Sequence, residues 1–189
     1  MAVKTNGLTS NTPLNYLMDA GAIYKNLVYT EATGDFTGTL LGATSGGNEF
    51  ALAQEIRHIE VDGLKGQLKG NSVIDSEIPS LTVNLKEVTA QNLALAIAGS
   101  TTTSDTNYDI ITSKGKIELT DYLDNIAFVG RLSANAKPIV IVIDNAISLE
   151  GLTISASDKD EAVIPVVFTG HEEEVGVAPY RIYFPKVVA

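Results

Sequence analysis

The sequence predicts a mostly β protein, an antiparallel β-sandwich or barrel with one flanking α-helix. Three observations lead there. Short runs rich in Val, Ile, Thr and Tyr recur along the chain, separated by clusters of Gly, Asn, Asp and Ser. One of them is cleanly half-buried by its alternation: Leu81, Val83 and Leu85 against Ser80, Thr82, Asn84 and Lys86. The clear helical pattern is confined to a single stretch, where Ala90, Leu93, Ala94 and Ile97 fall on one face.

Taken in order, residues 1–13 are small and polar and read as an arm. Leu14 to Met18 reads as a short helix or an extended segment. Ala22–Thr30 reads as a strand. Residues 30–48 are dense in Gly, Thr and Ser and read as a long loop, with a short strand at F-T-G-T-L-L. In Phe50–Val61 the apolar parity runs through Phe50, Leu52 and Ile56, then flips to Ile59 and Val61. A period-2 pattern changes face only at an extra residue or a bend, which predicts a bulge near Arg57–His58 or a crossing between sheets. Residues 62–77, with Gly63, Gly66 and Gly70, form a connection longer than a hairpin needs.

Thr89 is placed to cap the helix and Gly99 to end it. Residues 100–107 read as linker or loop. The remaining strands are expected at Lys116–Leu119, Ile126–Leu132, Pro138–Ile143, Ala146–Leu149, Leu152–Ala156, Ala162–Thr169 and Tyr180–Phe184. Pro165 removes a ladder donor and marks an edge or bulge. There is no internal repeat, and residues 1–189 read as one domain with an arm (about 1–13) and two long loops (about 30–48 and 62–77).

Of the 189 residues, 44% are hydrophobic and 19% charged, enough for a real core. The chain has no cysteine, so disulfides, thiolate metal sites and cysteine nucleophiles are excluded. The start lacks an apolar run of signal-peptide length, and no stretch approaches the ~20 apolar residues of a membrane helix. Synthesis and folding in cytoplasm, with no membrane partner, are expected. The formal charge of −10 argues against a nucleic-acid grip, which needs a basic excess, but suits a surface that must not hold DNA.

Catalytic patterns are weak. Gly42–Glu49 lacks the Lys and Ser/Thr of a phosphate loop. Ser157–Ala162 lacks the Gly and third acidic position of a calcium loop and reads as a solvated turn. His58 and His171 are far apart in sequence, and Ser45 has no nucleophile elbow around it. The seven tyrosines are scattered and do not interleave with basic residues. No catalytic residue, cofactor or metal is expected.

Four segments carry a likeness: Asp19–Leu27 (D-A-G-A-I-Y-K-N-L), Leu40–Phe50 (L-L-G-A-T-S-G-G-N-E-F), Ile56–Gly66 (I-R-H-I-E-V-D-G-L-K-G) and Gly151–His171 (G-L-T-I-S-A-S-D-K-D-E-A-V-I-P-V-V-F-T-G-H). In order and spacing the chain resembles the tail tube (major tail) proteins of long-tailed bacteriophages, especially those of phages and prophages of Gram-positive bacteria. That resemblance implies six-membered rings whose subunits contribute strands to one continuous β-barrel around a channel. The rings stack on a tape-measure protein, other tail proteins meet the tube ends, and DNA passes through without specific binding. The expected location is the virion tail, after synthesis in the bacterial host.

Two surfaces follow as expectations. The loop at 62–77 is the inter-ring contact, with Lys65, Gln67, Lys69, Asn71 and Asp75 as its polar groups. The faces bearing Ala51, Ala53, Glu55, Arg57, Ser80, Thr82, Asn84 and Lys86 carry no large apolar side chain and are placed toward the lumen, although Arg57 and Lys86 leave them short of net acidity. The alternatives are a monomeric β-sandwich for adhesion or carbohydrate binding and, with no motif behind it, a small hydrolase using scattered carboxylates.

Overall fold

The computed structural model describes residues 6–186. It is a two-layer antiparallel β structure with one short helix. The strands are β1 (Leu17–Thr30), β2 (Asp35–Leu40), β3 (Thr44–His58), β4 (Ser72–Leu85), β5 (Ser100–Ser104), β6 (Asp109–Ser113), β7 (Leu123–Leu132), β8 (Ile139–Ser148), β9 (Ile164–Thr169) and β10 (Tyr180–Tyr183); the helix α1 is Ala90–Leu95. The ladder runs β2-β1-β7-β8-β9-β4-β3, with β10 also on β8.

Strand β8 belongs to both layers. Its first half pairs with β10 and its last two residues with β9. The change of partner falls at Asn145, whose φ of +46° kinks the strand. The corner is held reciprocally: Asn145 Nδ2 donates to the His171 carbonyl, and the His171 ring sits 3.2 Å from the Asn145 carbonyl. The sequence reads two strands here, 138–143 and 146–149; the structure has one strand bent between sheets.

The core lies between the layers. Ile23, Ile126, Phe128 and Ile143 of the first sheet meet Leu81, Val83, Leu85, Ile164, Val166 and Phe168 of the second, all buried. The clean alternation of β4 is therefore the core-facing row. Helix α1 closes one end with Leu93 and Leu95. Thr89 caps it by accepting from Asn92 N–H at 3.1 Å, and the buried Asn92 amide donates to the Glu87 carbonyl. Gly99 follows at φ +61°, with the Lys116 carbonyl so close that a Cβ would overlap it.

Strand β1 is longer than expected, because positive φ at Asp19, Gly21 and Asn26 lets it shift register and continue. At the second shift the side chain of Asn125 replaces a neighbouring strand. Its Oδ1 accepts from Leu27 N–H at 2.7 Å and its Nδ2 donates to the Leu27 carbonyl at 3.1 Å, all buried. A backbone pair that would otherwise be orphaned is thereby satisfied.

Several expectations are corrected. The segment 44–48 is the start of β3 rather than loop, its glycines at positions 46 and 47 taking positive φ within the strand. The supposed linker at 100–107 begins a β5–β6 hairpin turned by Asp105, whose carboxylate accepts from the N–H groups of Asn107 and Tyr108 and is held below its usual pKa by those bonds. Lys116–Leu119 is not a strand; a 3₁₀ turn, Leu119–Asp121, stands at its end and is clamped by Lys114, which bonds Asp121 at 2.6 Å and Glu118 at 3.2 Å. Leu152–Ala156 makes only a single bridge, Ser155 to Val163. Pro165 pairs with Asn84 on one side, at a level where β9 has no second neighbour, as a missing donor requires.

In the expected N-terminal arm, residues 1–5 lie outside the described residues. Thr12–Leu14 is a 3₁₀ turn, and Ser133 Oγ ties the segment down by donating to the Pro13 carbonyl at 2.7 Å. Among the described residues no helix is long and apolar enough to cross a membrane.

Candidate functional site

Strands β3 and β4 outrun the body. Over Phe50–Leu52 and Pro79–Leu81 they cover the core, whereas residues 53–70 and 72–75 are exposed. The paired outer part of β3, five residues from Gln54 to His58, reaches about 17 Å beyond the body at ~3.4 Å per residue. The loop 59–71 lies beyond it.

The arm continues both faces of the sheet. Ile56 and Ile74 are register partners on the side that faces the core lower down, yet they are 52% and 56% exposed. Ile59, Val61, Leu64 and Leu68 of the loop are exposed as well. So many exposed apolar side chains gathered on one projecting hairpin mark an interaction surface. Parity alone signals it, since Phe50, Leu52 and Ile56 share one face; that the body ends before Ile56 is not visible in sequence.

The expected bulge is displaced. The ladder shifts between Glu55 and Ile56, where Asp75 is the extra residue on β4, and β3 ends at His58. The apparent flip at Ile59 is the end of the strand. Asp75 therefore lies in β4 and not in the contact loop, and takes both nitrogens of an Arg57 fork at 2.8 and 3.2 Å. That bond raises the Arg57 pKa above its usual value. Lys65, Gln67 and Lys69 do sit in the exposed loop. Asn71 closes it, its side chain donating to the Ile59 carbonyl and its N–H to the Leu68 carbonyl. His58 is exposed beside Ser72. Gln54 also bonds Glu77 across the arm.

The other face brings together most of the residues placed toward a lumen. Ala51 is opposite Ser80, Glu49 opposite Thr82, and Glu55 opposite Ser76; Ser80, Thr82 and Asn84 then meet Thr169, Val167 and Pro165 of β9. Ala51, Ala53, Glu55 and Arg57 are exposed and Ser80, Thr82 and Asn84 half-buried. Asn84 Nδ2 donates to the Gly47 carbonyl, and Lys86, just past the strand end, pairs with Glu161 at 3.1 Å. The basic charges on this side are thus matched: Arg57 by Asp75 and Lys86 by Glu161, which that bond holds below its usual pKa. Exposed Ile78, opposite Ala53, is one apolar exception that the sequence reading omitted.

The ladder also has two free ends. Strand β3 over 15 residues and β2 over six each have one paired neighbour among the described residues. Unpaired edges of this length are templates for pairing with another chain.

A third surface could not be read from sequence. On the side of the first sheet away from the core, Leu27, Ala127, Val140 and Val142 form a second small cluster. Phe36 and Tyr183 pack on it and Tyr29 meets both of them, the three ring centroids 4.8 to 5.2 Å apart. Strand β2 is four ladder steps from β10, roughly 19 Å across a flat sheet at ~4.8 Å per step. For the rings of Phe36 and Tyr183 to touch, the sheet must curl around this face. The result is a trough of about 830 Å³ with an adjoining recess of about 330 Å³.

Among the described residues no group of three or more His, Asp or Glu is arranged to hold a metal. No protein-family model matches the chain, and no curated protein matches it in sequence.

Proposed function

We propose that this chain is a structural subunit that assembles with copies of itself into stacked rings, forming a tube of the phage-tail kind. The observation that carries the reading is the projecting hairpin, whose core-side apolar row, Ile56 and Ile74, extends beyond the protein's own core. A monomer gains nothing by exposing that row; a stacked neighbour covers it. The two free sheet edges support lateral joining, because pairing between copies in a closed ring leaves no edge.

In this reading the arm and its loop bridge successive rings. The small, polar, charge-paired face around Ala51, Ser80 and Thr82 lines a wet channel in which DNA finds no cluster of free cations. Six subunits per ring, the tape-measure protein and the tail location are what the family resemblance adds. The subunit acts as a wall and no catalytic group takes part.

The alternative of a monomeric sugar-binding sandwich has the aromatic trough in its favour. Tyr29, Phe36 and Tyr183 are turned on one another there, which leaves exposed Phe184, among the described residues, as a ring free of such contacts. Negative-stain electron microscopy with sedimentation velocity over a concentration series tests the proposal. Rings or hollow tubes with a central channel are expected; a monomer at every concentration, stabilised by a glycan, would favour the alternative.

A further inference from the structure

We infer that the acidic loop 172–177 of one copy docks in the aromatic trough of the next, head to tail. This deepens the stacking proposal and rests on it. The two surfaces lie at opposite ends of β10. The loop, Glu172-Glu173-Glu174-Val175-Gly176-Val177, comes before Tyr180, and the trough residues Phe184 and Lys186 come after Tyr183. Strand β8 places them the same way: Lys137 precedes it at the trough, while Asp144 N–H takes the Pro179 carbonyl at the loop end. A contact between two different surfaces of one molecule is heterologous and propagates from copy to copy.

The chemistry is complementary. Val175 is fully exposed and Val177 more than half exposed, so the loop offers two apolar side chains behind three glutamates. The trough offers Tyr29, Phe36 and Phe184, with Lys137 and Lys186 against the single Asp35 among its lining residues. Neither lysine has an ion-pair partner among the described residues. Arg181, in the adjoining recess, is already taken by Asp144 at 2.6 Å. With Glu31 in the nearby turn the region is close to neutral, so the match rests on local pairing of Lys137 and Lys186 with the loop's glutamates and not on a net positive field.

Because the chain has no cysteine, disulfide trapping reads the contact directly. Val175→Cys and Lys137→Cys are prepared separately, at exposed positions where folding is not at stake. Mixed under assembly conditions and mildly oxidised, they should give covalent dimers, and neither variant alone should. Dimers of Val175→Cys with itself, no dimers in a mixture that forms tubes, or trapping of Lys137→Cys by Leu64→Cys on the arm instead would each overturn the inference while leaving the stacking proposal standing. Absence of any self-association, tubes included, would take both down. As a second readout, reversing Glu172, Glu173 and Glu174 to Lys should weaken assembly, and adding Lys137→Glu with Lys186→Glu should restore it; no restoration counts against the contact.

Discussion

Replacing Ile56 and Ile74 together by Thr tests the reading of the arm at the level of two side chains. Thr keeps the β-branched shape that suits a strand and removes most of the apolar surface. The two are register partners, each a little over half exposed in the isolated subunit. Complete burial of an isoleucine is worth about 1.5–3 kcal/mol, so covering the half still open gives about 0.8–1.5 kcal/mol per residue at a contact. The pair then contributes about 1.6–3 kcal/mol to each inter-subunit contact, a factor of roughly 15 to 150 in its dissociation constant. Within the subunit only the covered half of each side chain is at stake, a cost of about 1–2.5 kcal/mol for the pair by the same measure. Urea unfolding should therefore show at most that modest loss for the monomer, and sedimentation velocity should show assembly moved to concentrations higher by that factor. If the double variant assembles like the parent, the arm's apolar row is not a contact. If instead it unfolds more easily by several kcal/mol, the row is packed within the subunit and the description of the arm as overhanging is wrong.

Other outcomes follow from single sites. Asn125→Ala should destabilise the fold by about 2–4 kcal/mol, because both the N–H and the carbonyl of Leu27 lose their partner in a buried place; a change under about 0.5 kcal/mol in chemical denaturation would show that water or the backbone compensates. Gly99→Ala combines a positive φ with a Cβ that overlaps the Lys116 carbonyl, so it should lower the thermal midpoint clearly, whereas Gly63→Ala, also at positive φ but in open space, should cost only the backbone strain. Asp121 is held below its usual pKa by Lys114 first and then by the Glu118 N–H. The stability this contributes is present above the unfolded value near 3.8 and is lost as pH falls through the lower folded value. Asp121→Asn should therefore flatten the acid limb of the stability profile below about pH 4, and an acid limb identical to the parent's would remove the clamp from the account.

The legible parts of this fold were those where local chemistry and tertiary context agree. Strand β4 alternates because one face is core, and α1 is written in Thr89, the Leu93 row and Gly99. What escaped was set by distant partners. Residues 100–107, which hold the Thr-rich β5 and the turn at Asp105, read as linker or loop, because a short polar strand carries no apolar rhythm. The sequence divides strand β8 at Asp144–Asn145, between 138–143 and 146–149; the positive φ of Asn145 instead serves a change of partner, held by His171 from another part of the chain. The glycines ahead of Phe50 read as loop, yet they sit in an edge strand whose other side is open.

The site was legible in the same uneven way. Parity placed Ala51, Glu55, Ser80 and Thr82 on one face because they lie on two adjacent antiparallel strands. It could not assign Asp75, whose place in a strand depends on an extra residue at the Glu55–Ile56 shift. The trough was out of reach altogether: Tyr29, Phe36 and Tyr183 meet only because the sheet curls, and nothing local in their sequence neighbourhoods records that.

The most direct test of the account is to remove the arm and keep the body. Glu55 and Ser76 are already register partners, so replacing residues 56–75 by Asn-Gly joins them through a two-residue hairpin turn. Parent and shortened protein are then compared by negative-stain electron microscopy over the same concentration series, with circular dichroism as the control for folding. The account predicts hollow tubes from the parent and none from the shortened protein, with the β spectrum and unfolding midpoint of the body retained. Tubes of normal length from a folded, armless protein would contradict it.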